Sequence, residues 1–489
     1  MTLLSAGTAA NSRPHFAPPP WTDDDPRRQE LGDRLPANHL ARRIDQGVAR
    51  LDLSMVFAAY AGTGSPAHPP DLLLRAVLYE VRRGQHSPAA WHRDAHESEP
   101  IRWLLRGCTP ARSCWYTFRD RIGPYLDELN RQVLHQAVAQ GLTLATRGAL
   151  DGTVVAANAS RRRMVKAATL VERPSLLAVF GTTNGNRRPA WMARTAIGRR
   201  WQQRRLQRAQ VRLVELQAQN RARKKSKQRV AEWMKVSPAD PDAALGKDKD
   251  GIFRPLFNVQ LVDDLDSMLV LGYAVLNQPN DAGAVGPLLT RVATLVGHQL
   301  DILLVDTAYT GGPDLAAAAG MGVTLYGPLP KDGARAAKQF PKSRFTWLVD
   351  EGAYVCPQGH RLAYTASSRN KRSGPGSVLT HSYRCPPTYC MPCPLARDCT
   401  PRPDQGRTVS RSEFEELVEA LRERMNGVEA KELYRLRHRT VELIAADWKE
   451  HRKLRRFSGR GLARVRCQVA LMVLAQNLLN IRLQEQKPP

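Results

Sequence analysis

The chain has 489 residues, of which 42% are hydrophobic and 24% charged. That is the composition of a globular protein with more than one domain and excludes a disordered or fibrous chain. Its 73 Lys and Arg against 46 Asp and Glu leave a formal charge of +27, which makes nucleic acid the expected partner ahead of an anionic membrane. There is no run of roughly 18 apolar residues, and the N-terminus lacks the basic and apolar parts of a leader. Neither a membrane span nor secretion is therefore expected; the expected location is the cytoplasm, with the nucleoid.

Residues 1–36 are rich in Pro and polar side chains and read as a disordered arm. Residues 37–140 read as helical. Leu72, Leu73, Leu74, Val77, Leu78 and Val81 give an amphipathic helix that stops at Gly84, and Ser87-Pro88 and Thr109-Pro110 start two shorter ones. With Arg112, Arg119 and Arg121 on the last of these, the region suggests a helix-turn-helix-like reader of DNA, a plain helical bundle being the alternative.

The run from Ala149 to Ala157 is a strand signal. The next segment, 161–250, is a basic helical insert: residues 161–230 hold 20 Lys and Arg against two acids, a surplus of 18 out of +27. Like charges at i,i+4 repel, so a polyanion favours this fold. Trp201, Leu206, Val211, Leu213, Val214 and Leu216 offer only a thin apolar stripe. Leu256–Val262 and Met268–Leu276 then read as a hairpin around an acidic turn, 263–267. A helix over Ala282–Val296 follows, then a strand from Leu300 to Val305 ending at Asp306, a helix through Ala316–Ala319, and a strand over Gly322–Tyr326. Helices alternating with strands predict a mixed α/β layered core from 141–160 and 251–345. Residues 346–410 are cysteine-rich. Residues 411–489 are helical, and the last helix, Leu462–Leu483, is apolar on one side and expected to pack on the sheet.

An Asp inside an apolar strand is costly unless it is paired or holds metal, which singles out Asp151. Asp306 ends a strand, where α/β sheets place their ligands, and Glu442 lies on an apolar helical turn. Three hard oxygen donors suit Mg²⁺, and two such ions serve phosphodiester chemistry. Asp263, Asp264, Asp266 and Asp281 compete with them as turn or cap residues. Cys356, Cys385, Cys390, Cys393 and Cys399 cluster with His360, and the spacing Cys390-x₂-Cys393 is that of a structural zinc knuckle. Free or redox thiols and disulfides are the alternatives. Cys108, Cys114 and Cys467 are scattered and read as core residues.

The strings AWHRDAHESEPIRWLLRG, WYTFRDRIG, ALDGTVVAANAS, DPDAALGKDKDG, FNVQLVDD, VLNQPNDAG, LLVDTAYTGG, TVELIAADWK and RRFSGRGLARVRCQVALMVLAQNLLNI run in order from about residue 70 to 482. In these stretches the chain resembles bacterial insertion-sequence transposases of the DDE type, whose catalytic core is an RNase H-like mixed α/β sheet. The resemblance implies that Asp151, Asp306 and Glu442 are the catalytic carboxylates holding two Mg²⁺ (or Mn²⁺) ions. It also implies that Cys356, Cys390, Cys393 and Cys399 form a small zinc-knuckle insert, with Cys385 as an alternative ligand, and that the protein works as a homodimer on DNA. DNA contacts are expected from Arg112, Arg119, Arg161, Arg162, Arg163, Arg204, Arg205, Lys224, Lys225, Arg439 and Lys449. The sequence departs from the family pattern at Ala308, at Tyr434, at His438 (where Arg is usual) and at Leu443. An inactive, zinc-braced DNA-binding protein is the alternative function, and a stand-alone metal nuclease a third.

Overall fold

A computed structural model describes residues 14–485, apart from 61, 63, 183–188, 224, 331–338 and 371–377. The expected disordered arm is folded where it is described. Asp25 accepts a hydrogen bond from the Arg27 amide and caps a helix over Pro26–Asp33, with Pro26 in its first turn. Trp21, Leu31 and Leu35 are buried. Trp21 lies against Gly107, where φ is +77° and a Cβ would fall 2.6 Å from the indole. Three large apolar side chains outweigh the proline content that suggested disorder.

The helix over Pro70–Arg82 is buried almost all round rather than on one stripe. Gly84, at φ +77°, ends that turn. Ser87 caps Pro88–Glu97 as its sequence predicts. The helix expected to start at Thr109-Pro110 starts instead at Arg112, with Ala111 before it and no side-chain cap.

The main sheet contains β1 (Arg147–Ala156), β2 (Ala244–Lys247), β3 (Phe253–Asp264), β4 (Val270–Leu276), β5 (Ile302–Leu304) and β6 (Thr324–Tyr326). Its order is β2-β3-β1-β5-β6, with β4 also paired to β3. The β1, β2 and β4 pairings to β3 are antiparallel, whereas β1–β5 and β5–β6 are parallel. The fold is therefore mixed α/β, as the alternating elements predict. The acidic turn begins later than predicted: Asp263 and Asp264 lie on β3 and are fully buried.

One continuous core joins the N-terminal helices, one face of this sheet and the last helix, Leu462–Glu485. Residues 462–481 are long and apolar enough to cross a membrane, but most of that stretch is buried inside the protein. That helix starts where Asp240 and Asp242 accept from the Gly461 and Leu462 amides, at 3.1 and 2.9 Å. The DPD string thus caps a helix more than 200 residues away in sequence.

The basic insert is a helical hairpin, Ala167–Thr182 with Ala196–Arg221. It has its own small core of Val165, Leu170, Leu177, Met192, Leu206, Ala209, Leu213 and Val236. Of the predicted stripe, Leu206 and Leu213 are buried, while Trp201, Val211 and Val214 remain exposed. A second antiparallel sheet comprises β7 (Thr346–Leu348), β8 (Ala353–Val355), β9 (Arg361–Asn370), β10 (Val378–Arg384) and β11 (Thr408–Ser412). Arg411, expected to open a helical region, lies on β11; the helices there are Glu415–Asn426, Val428–Arg435 and Val441–Glu450.

Candidate active site

Ala149, Leu304 and Val441 form a small buried cluster of their own, and Ala149 and Leu304 are in register across β1 and β5. Asp151 follows Ala149 by two residues, Asp306 follows Leu304 by two, and Glu442 follows Val441 directly. Packing three apolar residues together therefore delivers three carboxylates to one end of the sheet. Asp306 caps the short turn Thr307–Tyr309, accepting from the Ala308 amide at 2.7 Å.

Arg437 lies between two of these carboxylates. Its Nη2 is 3.0 Å from Asp151 Oδ1 and its Nη1 is 3.4 Å from Glu442 Oε1. The Arg437 side chain is 9% exposed. His438 Nδ1 stands 3.0 Å from Glu442 Oε2. Burial raises the Asp151 carboxyl, Arg437 opposes that, and the Asp306 charge adds to it. The Tyr434 phenol is also raised by burial, with Asp306, Glu442 and Asp151 all contributing against Arg437. Tyr434 therefore lies within electrostatic reach of all three carboxylates despite its offset from the family spacing.

On the other side of β1, beneath Gly152, lies a closed polar network. Tyr309 donates to Gln260 Oε1 at 2.6 Å, and Gln260 Nε2 donates to Asp281 Oδ1 at 2.7 Å and to Asn258 Oδ1 at 3.0 Å. Asn258 Nδ2 donates to the same Asp281 oxygen at 2.7 Å. It ties the turn carrying Asp306 to the strand paired with β1. Asp281, a competitor on sequence alone, belongs to this network.

Asp263 is paired with Ala149 across β3 and β1, which places it on the Asp151 face one row deeper in the sheet. It is fully buried, and neither of its carboxylate oxygens has a hydrogen-bond partner among the described residues. Burial, then the Asp151 charge, pushes its carboxyl well above the usual range. Lys449 is brought down to about 8 by burial and by the neighbouring Lys249, while Asp151 opposes both. Arg437, Lys249, Asn258 and Gln260 were not singled out by the sequence, and Asp263 and Asp281 entered only as turn or cap competitors. The available signal was Asn258 and Gln260 alternating in the apolar run FNVQLV, which marks polar side chains on one buried face.

Arg112, Arg161, Arg162, Arg163, Arg204, Arg205, Lys225 and Arg439 are exposed, and Lys449 is half-buried. Lys224 lies outside the described residues. Arg119 differs from expectation. It is buried, its Nε donates to Asp120 at 2.9 Å, and its carbonyl accepts from the Cys467 thiol. It is a packing residue rather than a surface contact for DNA.

Cys356, Cys385, Cys390, Cys393, Cys399 and His360 line one cavity of about 20 Å³. The His360 amide donates to Cys356 Sγ at 3.3 Å and the Arg407 amide to Cys390 Sγ at 3.5 Å. All eight cysteines are free thiols, and burial pushes the Cys385 thiol up to about 12. Among the described residues, no three His, Cys, Asp or Glu stand close enough together to hold a metal ion. This holds both at the thiols and at the carboxylates that Arg437 separates.

A family profile described as a transposase DDE domain matches residues 355–482, and one described as a transposase domain (DUF772) matches residues 29–121. These two matches support an insertion-sequence transposase of the DDE type. No curated protein and no solved structure matches it. The DDE match takes in Glu442 and the cysteine cavity, while Asp151 and Asp306 lie between the two matched segments. A DDE domain implies an RNase H-like core, DNA as partner, a divalent metal such as Mg²⁺, and a nuclease or transposase class of enzyme. A carboxylate donor set fits such an ion chemically.

Proposed function

We propose that the transposase binds the terminal inverted repeats of its own element, cuts there, and joins the freed ends to target DNA. Asp151, Asp306 and Glu442 hold the metal. The observation that carries this reading is the meeting of Asp151 and Glu442 on a single cation, the Arg437 guanidinium, with Asp306 near enough for its charge to act on Asp151. When bound, a pair of Mg²⁺ ions supplies an activated water or 3′-hydroxyl and stabilises the leaving oxygen. The Gln260 network holds the Asp306 turn against β1 through that chemistry. Lys449, with Lys249 beside it, neutralises phosphate at the rim.

The N-terminal helices read the element end. Arg161, Arg162, Arg163, Arg204, Arg205 and Lys225 on the basic hairpin, with Arg112 and Arg439, grip the DNA backbone without reading sequence. Joining two ends together calls for a homodimer on DNA. Four thiols, Cys356, Cys390, Cys393 and Cys399, with Cys385 as an alternative to one of them, bind a structural zinc ion, for which the shared cavity of thiols is the support. Protein purified without added metal is then expected to carry about one zinc per chain by elemental analysis, and finding none would remove the zinc assignment.

The decisive experiment is cleavage of a labelled inverted-repeat duplex in Mg²⁺ or Mn²⁺ by wild type and by Asp306→Asn. Wild type should cut and join. The variant should bind the duplex equally well and lose at least about 10³-fold of its rate, as expected when the groups that stabilise the transition state are disabled. Tight, salt-sensitive binding by both proteins without cutting would favour an inactive DNA-binding protein. Cutting without joining would favour a nuclease.

A further inference from the structure

The Arg437 guanidinium meets Asp151 and Glu442 with two of its nitrogens, at 3.0 and 3.4 Å. The side chain is withdrawn from solvent, and its Nε is buried with no hydrogen-bond partner among the described residues. A buried guanidinium with an unused donor is a cation held by its charge partners but not saturated by them. It sits on the short turn Leu436–Arg439, which the non-helical residue Thr440 separates from the helix bearing Glu442.

We infer that Arg437 is a resident counter-cation that competes with the divalent ion for Asp151 and Glu442 and yields when a DNA phosphate takes up its guanidinium. The inference rests on the reading of these carboxylates as the metal set. Its physical basis is that the same two oxygens cannot serve a guanidinium and a dication together without bringing like charges into contact. The planar fork of an arginine matches a phosphate as well as it matches a carboxylate. Handing Arg437 to the DNA end therefore removes the competitor and couples the two binding events. By linkage, the coupling is reciprocal: DNA tightens metal, and metal tightens DNA. A protein so built stays poorly metal-loaded, and poorly active as a nuclease, until it holds an end.

The test is equilibrium binding of Mn²⁺, followed by electron paramagnetic resonance. It is run on the full chain, with and without a pre-cleaved duplex ending at the element's tip. Wild type should bind Mn²⁺ roughly tenfold more tightly once the duplex is present, within the usual span of coupling between two sites. Arg437→Gln should show that roughly tenfold gain without DNA and little further gain when DNA is added. Arg437→Lys, which keeps the charge but loses the fork, should fall between them and serves if the glutamine variant folds poorly. Native melting with Mn²⁺ affinity unchanged or weaker in Arg437→Gln would overturn the inference and make Arg437 a brace. If Asp151→Asn and Glu442→Gln leave Mn²⁺ binding unaltered, the underlying reading of the carboxylates fails instead.

Discussion

Gly152 follows Asp151, and the reason no larger residue fits lies on the opposite face of the strand. A Cβ there would stand 2.5 Å from Asp281 Oδ1 and 2.8 Å from the Tyr309 hydroxyl. The space is filled by the side chains that hold the Asp306 turn. Removing the Tyr309 hydroxyl leaves Gln260 Oε1 without its donor, which costs about 1–3 kcal/mol for a buried group. Tyr309→Phe is expected to keep DNA binding and to slow end cleavage by roughly tenfold or more, because the second carboxylate loses its fixed position. Single-turnover kinetics on a labelled end would measure this, and an unchanged rate would show that the turn is held by other means. At this scale the sequence marked the three carboxylates as candidates but not the side chains around them. Arg437 reaches Asp151 across 286 positions, a distance over which no local pattern carries information.

Among the elements, the basic hairpin illustrates how charge and packing divide the labour. Leu206, Ala209 and Leu213 bury one side of the Ala196–Arg221 helix, and the remaining faces carry its arginines. Arg204 and Arg205 are exposed, and Arg208 reaches Asp242 at 3.6 Å, next to the cap of the last helix. Replacing both Arg204 and Arg205 by Ala is expected to weaken DNA binding alike for specific and unrelated sequences. The slope of log K against log salt should become shallower by about 1.8, or about 0.9 for each phosphate that is no longer neutralised. Fluorescence anisotropy across a salt series reads this slope, and an unchanged slope would move the grip to another surface. The hairpin was legible because its charge is concentrated in one segment. Its private core was not, because Val165 and Val236 close it from two short strands about 70 residues apart.

For the whole molecule, the continuous core makes helices from both ends of the chain unfold together. Pro70–Arg82 belongs to the same core as Leu462–Glu485, so a strained group in one destabilises both. Glu80, on the first of these, is fully buried, with Arg83 at 3.6 Å. Burial, and then the nearby Asp94, raises its carboxyl to about 8. A carboxyl raised on folding leaves stability intact below the ordinary value of 4.5, and stability is lost as pH climbs from there to about 8. Glu80→Gln should therefore stabilise the protein at pH 8, by an amount on the order of a few kcal/mol, and change little at pH 5. Thermal melting at the two pH values checks it; equal shifts at both would mean that Glu80 ionises normally.

By itself the sequence determined the periodic elements and the concentration of positive charge, and it marked Asp151, Asp306 and Glu442 as candidates, because each of these is written in neighbouring residues or in strings of fixed order. The strand register, and the helix over Val441–Glu450 that brings Glu442 to the ends of β1 and β5, were decided only by tertiary packing. The same packing buried Arg119, ordered the proline-rich segment around Trp21, sank Asp263 into the sheet and set Arg437 between Asp151 and Glu442. Each of these depends on partners tens to hundreds of residues away, where burial and charge pairing, rather than local propensity, set the energy.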